Sequence, residues 1–111
     1  MQSTYNQKPK INPIFKSLLP PLTEDEKVGL EAKLRAEGCI YPLDVWRQTD
    51  ELVEGHHRFE ICERLNIKYS LRFHDFADTD AVLEWIVGNQ AGRRNWTAQQ
   101  RAYYILSLIH I

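Results

Sequence analysis

Two short runs of alternating character, Leu43-Asp44-Val45-Trp46-Arg47 and Glu51-Leu52-Val53-Glu54, are joined by only Gln48-Thr49-Asp50 and run straight into Gly55. Alternation with a period of two and a tight polar link predict a β-hairpin. A lone hairpin is marginal in water, so this one needs a covering layer. The stretch from about His56 to Leu65 supplies it as a helix with Arg58, Ile61, Cys62 and Leu65 on one side. Upstream, the rigid Pro20-Pro21-Leu22 leads to Thr23, which with Glu26 has the spacing of a capping box, and Glu24, Asp25 and Glu26 suit the positive helix end. Leu30 and Leu34 form the buried stripe of that helix, and Gly38 closes it. Downstream, Tyr69 to His74 alternates as a strand, and Asp78-Thr79-Asp80 caps a helix with Val82, Trp85, Ile86 and Asn89 on one face. The segment Ala91-Gly92-Arg93-Arg94-Asn95 is expected to break it, with Thr97 and Gln100 opening a further helix by a second capping box. The order helix, hairpin, helix, strand, helix, helix makes a small α+β domain without internal repeats.

A chain of 111 residues has room for one domain. Fourteen Lys and Arg against fifteen Asp and Glu give a net charge of −1, which argues against a histone-like or tail-type polyanion binder but does not exclude a local basic patch. Apolar stretches are far too short to span a membrane, and the polar Met1 to Lys10 is unlike a signal peptide. Cys39 and Cys62 lack the spacing of a zinc site or a disulfide framework, so a reducing cytoplasm is the expected setting. Residues 1–9 read as a flexible arm, and 10–105 as the domain. The last six residues, 106–111 (Leu-Ser-Leu-Ile-His-Ile), are what a transposon-end sequencing adapter encodes in frame. They are expected to be an adapter-derived tail, with the natural reading continuing beyond Ile105; an ordinary amphipathic helix end is the alternative.

Chemistry concentrates at three places. Glu54-Gly55-His56-His57-Arg58 sits at a strand-to-helix junction, where glycine admits close backbone approach and the first helical N–H groups are unsatisfied. A phosphate or other small anion is the natural guest, with Arg58 able to bind it bidentately and His57 binding better when protonated. A glycine required only by the turn, with solvated neighbours, is the competing reading. Adjacent histidines point in different directions on a helix, and no partner stands four residues on, so metal is not expected there. The second place, Asn89 to Trp96, carries the Arg93-Arg94 pair, which is either a solvated cap or an anion or nucleic-acid contact. The third is Gly38-Cys39-Ile40-Tyr41-Pro42-Leu43, a helix-to-strand connection; Cys39 has no activating neighbour in sequence, and Cys62 belongs to the core.

Taken together these places resemble the ParB-like N-terminal domain of the ParB/sulfiredoxin superfamily, in the form found in plasmid, phage and integrative-element proteins. The resemblance rests on Gly38-x-x-Tyr41-Pro42-Leu43, Gly55-His56-His57-Arg58 and the Asn89–Trp96 stretch, and covers residues 11 to about 105. It implies a short mixed sheet packed against helices, with C-terminal helices. It also implies that Gly38, Tyr41 and Pro42 line a nucleotide's base and sugar. Gly55, His56, His57, Arg58 and Arg93 would hold its phosphates, with Asn89 and Gln90 nearby. The implied protein is a nucleotide-binding regulatory module of a DNA-binding partition protein of the plasmid or mobile-element kind, cut short before its DNA-binding domain. DNA would be its partner through that missing part, and a homodimer is left open. The implied ligand is a nucleoside triphosphate, CTP or ATP, with magnesium doubtful because neutral Asn89 stands where a glutamate would hold the cation. Tyr41 stands where the pattern has glutamine, and His57 where it has arginine.

Two rivals remain open. ParB-like serine kinases carry a similar Asp-Gly-His-His-Arg run, and Glu54 or a carboxylate among Glu24, Asp25 and Glu26 would then be the base in phosphoryl transfer to a small molecule. A DNA- or protein-contacting module would use Arg93, Arg94 and Arg101 without nucleotide. The expectation is a binding module rather than an enzyme, with weak triphosphatase activity left open. Sulfinic-acid repair is excluded, since His56 occupies the position of the sulfiredoxin thiol.

Overall fold

The computed structural model describes residues 8–18 and 21–94, with the backbone alone described for 90–94. Four helices and three strands follow in the order α1 (Pro13–Ser17), α2 (Glu24–Glu37), β1 (Leu43–Trp46), β2 (Glu51–Glu54), α3 (His56–Leu65), β3 (Leu71–His74) and α4 (Thr79–Arg94). They fall into two compact units, Met1–Asp75 and Phe76–Ile111.

In the first unit the strands form one mixed sheet in the order β2-β1-β3. β1 runs antiparallel to β2 and parallel to β3. The hairpin is as expected, with Asp50 taking a positive φ of 62° in the turn. Glu54 pairs with Asp44 and Leu52 with Val45, so two steps on β2 answer one on β1. This bulge turns Leu52 to the apolar face and Glu54 to the other. Leu43, Val45, Leu52 and Leu71 form one core cluster, against which Cys39, Phe59, Tyr69 and Phe73 pack. A second cluster, Leu34, Ile61 and Cys62, lies between α2 and α3. α2 begins with the complete Thr23–Glu26 capping box and ends at Gly38, whose φ of 77° is a conformation that glycine adopts without strain.

Three elements differ from expectation. α1 has no counterpart in the sequence reading; Asn12 caps it by accepting from the Ile14 N–H, with Pro13 as first helical residue. Its Phe15 is fully buried, 6.3 Å between ring centroids from Trp46. Just before it, Lys10 bridges to Glu51 along β2. β3 starts at Leu71 rather than Tyr69. In the second unit, Asp78 accepts from the Ala81 N–H at 2.9 Å and α4 then runs unbroken to Arg94. The expected break at Ala91 is absent because one mid-helix glycine costs only about 1 kcal/mol and arginine is a good helix former. Among the described residues of α4, Val82, Leu83, Ile86 and Val87 are buried. The second capping box, Arg101 and the 106–111 tail lie outside the described residues.

Candidate functional site

The junction between β2 and α3 is built around Gly55, whose φ of 101° and ψ of 23° turn the strand directly into the helix. A Cβ there would stand 2.7 Å from Leu43 Cδ2 and 3.1 Å from Arg58 Nη2, so both conformation and space demand glycine. Gly55, as the N-cap of α3, offers no side-chain hydrogen bond to its first turn.

Arg58 folds back over Gly55, and its Nη1 donates to the Tyr41 carbonyl oxygen at 2.9 Å. That bond joins the Gly38–Leu43 connection to the Gly55–Arg58 turn, two motifs that the sequence separates by the hairpin. Cys39 Sγ also donates to the Tyr41 carbonyl, at 3.5 Å. The Tyr41 side chain stands out in solvent, 67% exposed. Pro42, His57 and Arg58 are half-buried.

His56 is only 4% exposed, and neither ring nitrogen has a hydrogen-bond partner among the described residues. Burial pushes its pKa down to about 4, helped by the charges of Lys16 and His57, so the ring is neutral at neutral pH. His57 in turn lies close enough to the first turn of α2 to help hold the Glu26 carboxyl down, behind the larger effect of the Thr23 hydrogen bonds.

Buried charge continues on the adjacent face of the sheet. Glu54, 5% exposed, is the cross-strand neighbour of Asp44, 4% exposed. Asp44 Oδ1 accepts from Arg72 Nε and His74 Nε2, each at 2.8 Å. Among the described residues no three His, Cys, Asp or Glu are grouped to hold a metal ion.

The structure thus brings Gly38, Tyr41 and Pro42 to the same end of the sheet as Gly55, His56, His57 and Arg58. Asn89 is half-buried on α4 in the second unit, while the side chains of Gln90, Arg93 and Arg94 lie outside the described residues. Sequence reasoning missed Lys16, whose charge reaches His56; the Asn12-Pro13 helix start was the available signal. It also missed the Asp44–Arg72–His74 cluster, which depends on strand register.

No protein-family model matches the sequence, and no curated protein matches it significantly. Solved structures do. A structure of a Pnob8-like ParB-N domain superposes with a TM-score of 0.69 at 25% identity, covering 92% of this chain and 42% of that one. A second, of the pNOB8-like ParB N-domain, gives 0.66 at 26% identity, with 91% and 38% covered. The chain therefore spans about two fifths of the length of the structures it matches. Over nine tenths of its length the chain therefore has the fold of these ParB N-domain structures and resembles a ParB-like N-terminal domain.

Proposed function

We propose that this domain is the nucleotide-binding regulatory module of a longer ParB-like DNA-binding protein of the partition type. The observation that carries the reading is the Arg58–Tyr41 link, which holds a guanidinium over Gly55 at the start of α3 and ties it to the backbone of Tyr41, whose side chain is exposed. Amides and guanidinium suit phosphates, and the Tyr41 ring suits a base or sugar. CTP and ATP are the candidate ligands. Gly38 and Pro42 would shape the base end, and Gly55, His56, His57 and Arg58 the phosphate end. Any magnesium would arrive with the nucleotide, because Asn89 offers a cation no charge. DNA contact belongs to the rest of the protein, in the mobile-element setting that the motifs resemble.

Calorimetric titration with CTP, ATP and ADP tests this. Binding of at least one is expected at micromolar strength or weaker, and its loss in Arg58→Ala. Silence for all three with folded protein would overturn it.

The buried carboxylate of Glu54, next to Gly55, favours a second reading as a small-molecule kinase. Labelled ATP or ADP with free amino acids separates the two, since a binding module forms no phosphorylated product. A mobility shift of DNA that survives Arg58→Ala and is lost in an Arg93/Arg94 double variant would instead mark a contact module without nucleotide.

A further inference from the structure

Cys39 and Cys62, remote in sequence, are brought into one packed cluster between α2 and α3. Cys62 is 1% exposed among Leu34 and Ile61, and the half-buried Cys39 packs on the same cluster. Each lies near enough to the other for Cys39 to influence the charge of the Cys62 thiol. Cys39 also donates to the Tyr41 carbonyl, the atom that receives Arg58 Nη1. One oxygen therefore registers both the state of the Cys39 sulfur and the position of the Arg58 guanidinium.

We propose that Cys39 and Cys62 are a reversible redox pair, closed to a disulfide by a hydroperoxide, and that closure withdraws Cys39 from the Tyr41 carbonyl and tightens that carbonyl's hold on Arg58. In the first step the Cys39 thiolate attacks the peroxide oxygen. The O–O bond breaks, the alcohol or water leaves with the thiol proton, and Cys39 becomes a sulfenic acid. In the second step the Cys62 sulfur attacks Cys39 Sγ, the S–O bond breaks, and the departing hydroxide takes the Cys62 proton as water. The sum is two thiols and one hydroperoxide to one disulfide, one alcohol or water and one water. A dithiol reductant reverses it.

The order of attack follows from the surroundings. Cys39 is the accessible sulfur, whereas Cys62 is sealed in the core. Burial, with Cys39 beside it as the next cause, pushes the Cys62 thiol up to about 12, so it loses its proton only as it attacks. The second step is therefore the slow one. Once Cys39 no longer donates, the Tyr41 carbonyl is a stronger acceptor for Arg58, which is held on the protein rather than offered to an anion. This last consequence rests on the proposed phosphate site; formation of the disulfide does not.

The test uses the full chain, reduced and then treated with hydrogen peroxide. Intact mass should fall by two hydrogens in the monomer, with both thiols lost and a Cys39–Cys62 linked peptide. Cys62→Ser should stop at a sulfenic acid that dimedone traps on Cys39. Amide hydrogen exchange across 38–43 should slow several-fold on oxidation, and inorganic pyrophosphate should bind more weakly. Oxygen added without loss of two hydrogens, disulfides only between chains, or a disulfide with unchanged exchange at 38–43 would each overturn the proposal. A disulfide that slows exchange, in a protein whose reduced and oxidised forms both ignore pyrophosphate, would uphold the redox pair and reject the phosphate site.

Discussion

At the scale of the residue, Gly55 and His56 are opposite kinds of constraint. Gly55→Ala must hold an L-residue at φ 101° and push a Cβ against Leu43 Cδ2. The expected cost is about 1–3 kcal/mol, read as a lower urea midpoint at unchanged slope. A midpoint equal to wild type would show that the junction relaxes freely. Arg58→Ala leaves the backbone alone but removes the bond to the Tyr41 carbonyl, so it should abolish nucleotide binding while the fold persists. His56 imposes a pH dependence. Its folded pKa, about 4, lies below its ordinary value of 6.5, so the native state favours the neutral ring. This contribution is fully present above pH 6.5 and is lost as pH falls toward 4, while the unfolded chain takes up a proton that the folded chain refuses. Unfolding free energy should therefore slope down across that window in wild type and more gently in His56→Leu. Parallel slopes would mean that the ring reaches water.

At the scale of the element, what was legible in the sequence was whatever local chemistry decides. The Thr23–Glu26 box, Gly38 as the end of α2, the hairpin and the limits of α3 all follow from caps, glycine and periodicity. α1 escaped because five residues are too few for periodicity to register, although Asn12-Pro13 marks its start. β3 lost two residues because Tyr69 serves the core and bonds Glu63 at 3.0 Å rather than joining the ladder. α4 runs past the expected break to Arg94 because a single glycine between good helix formers does not stop a helix. Half of the candidate site was legible as motifs, but the Arg58–Tyr41 bond, the burial of His56 and the packing of Cys39 on the cluster that holds Cys62 exist only once α2, α3 and the sheet are packed. Two elements make checks. Thr23→Ala should cost about 1 kcal/mol by removing the cap of α2. Asp44→Asn, by weakening its hold on Arg72 and His74, should cost about 1–3 kcal/mol, moderated because Arg72 is 55% exposed. A neutral result for Asp44→Asn would mean that the cluster contributes nothing to holding β3 on β1.

At the scale of the whole molecule, the two compact units make a distinction that ligand binding can expose. Every described residue of the Arg58–Tyr41 arrangement belongs to the unit that ends at Asp75. A nucleotide that binds there stabilises that unit by mass action, about 2.7 kcal/mol at a hundredfold excess over Kd. The tryptophans report separately: Trp46 stands in β1 of the first unit, and Trp85 in α4 of the second. Single-tryptophan variants, with Trp96 also replaced by phenylalanine, turn each into a local probe. The Trp46 transition should move to higher denaturant with added nucleotide, in proportion to the logarithm of its concentration, and should not move in Arg58→Ala. Because the net charge is only −1, this stabilisation must come from local groups rather than a general attraction for anions. Inorganic sulfate at matched ionic strength should therefore reproduce only a small part of it. A rise at Trp85 with Trp46 unmoved would place the ligand away from the β2–α3 junction and end the assignment of the phosphate site to it.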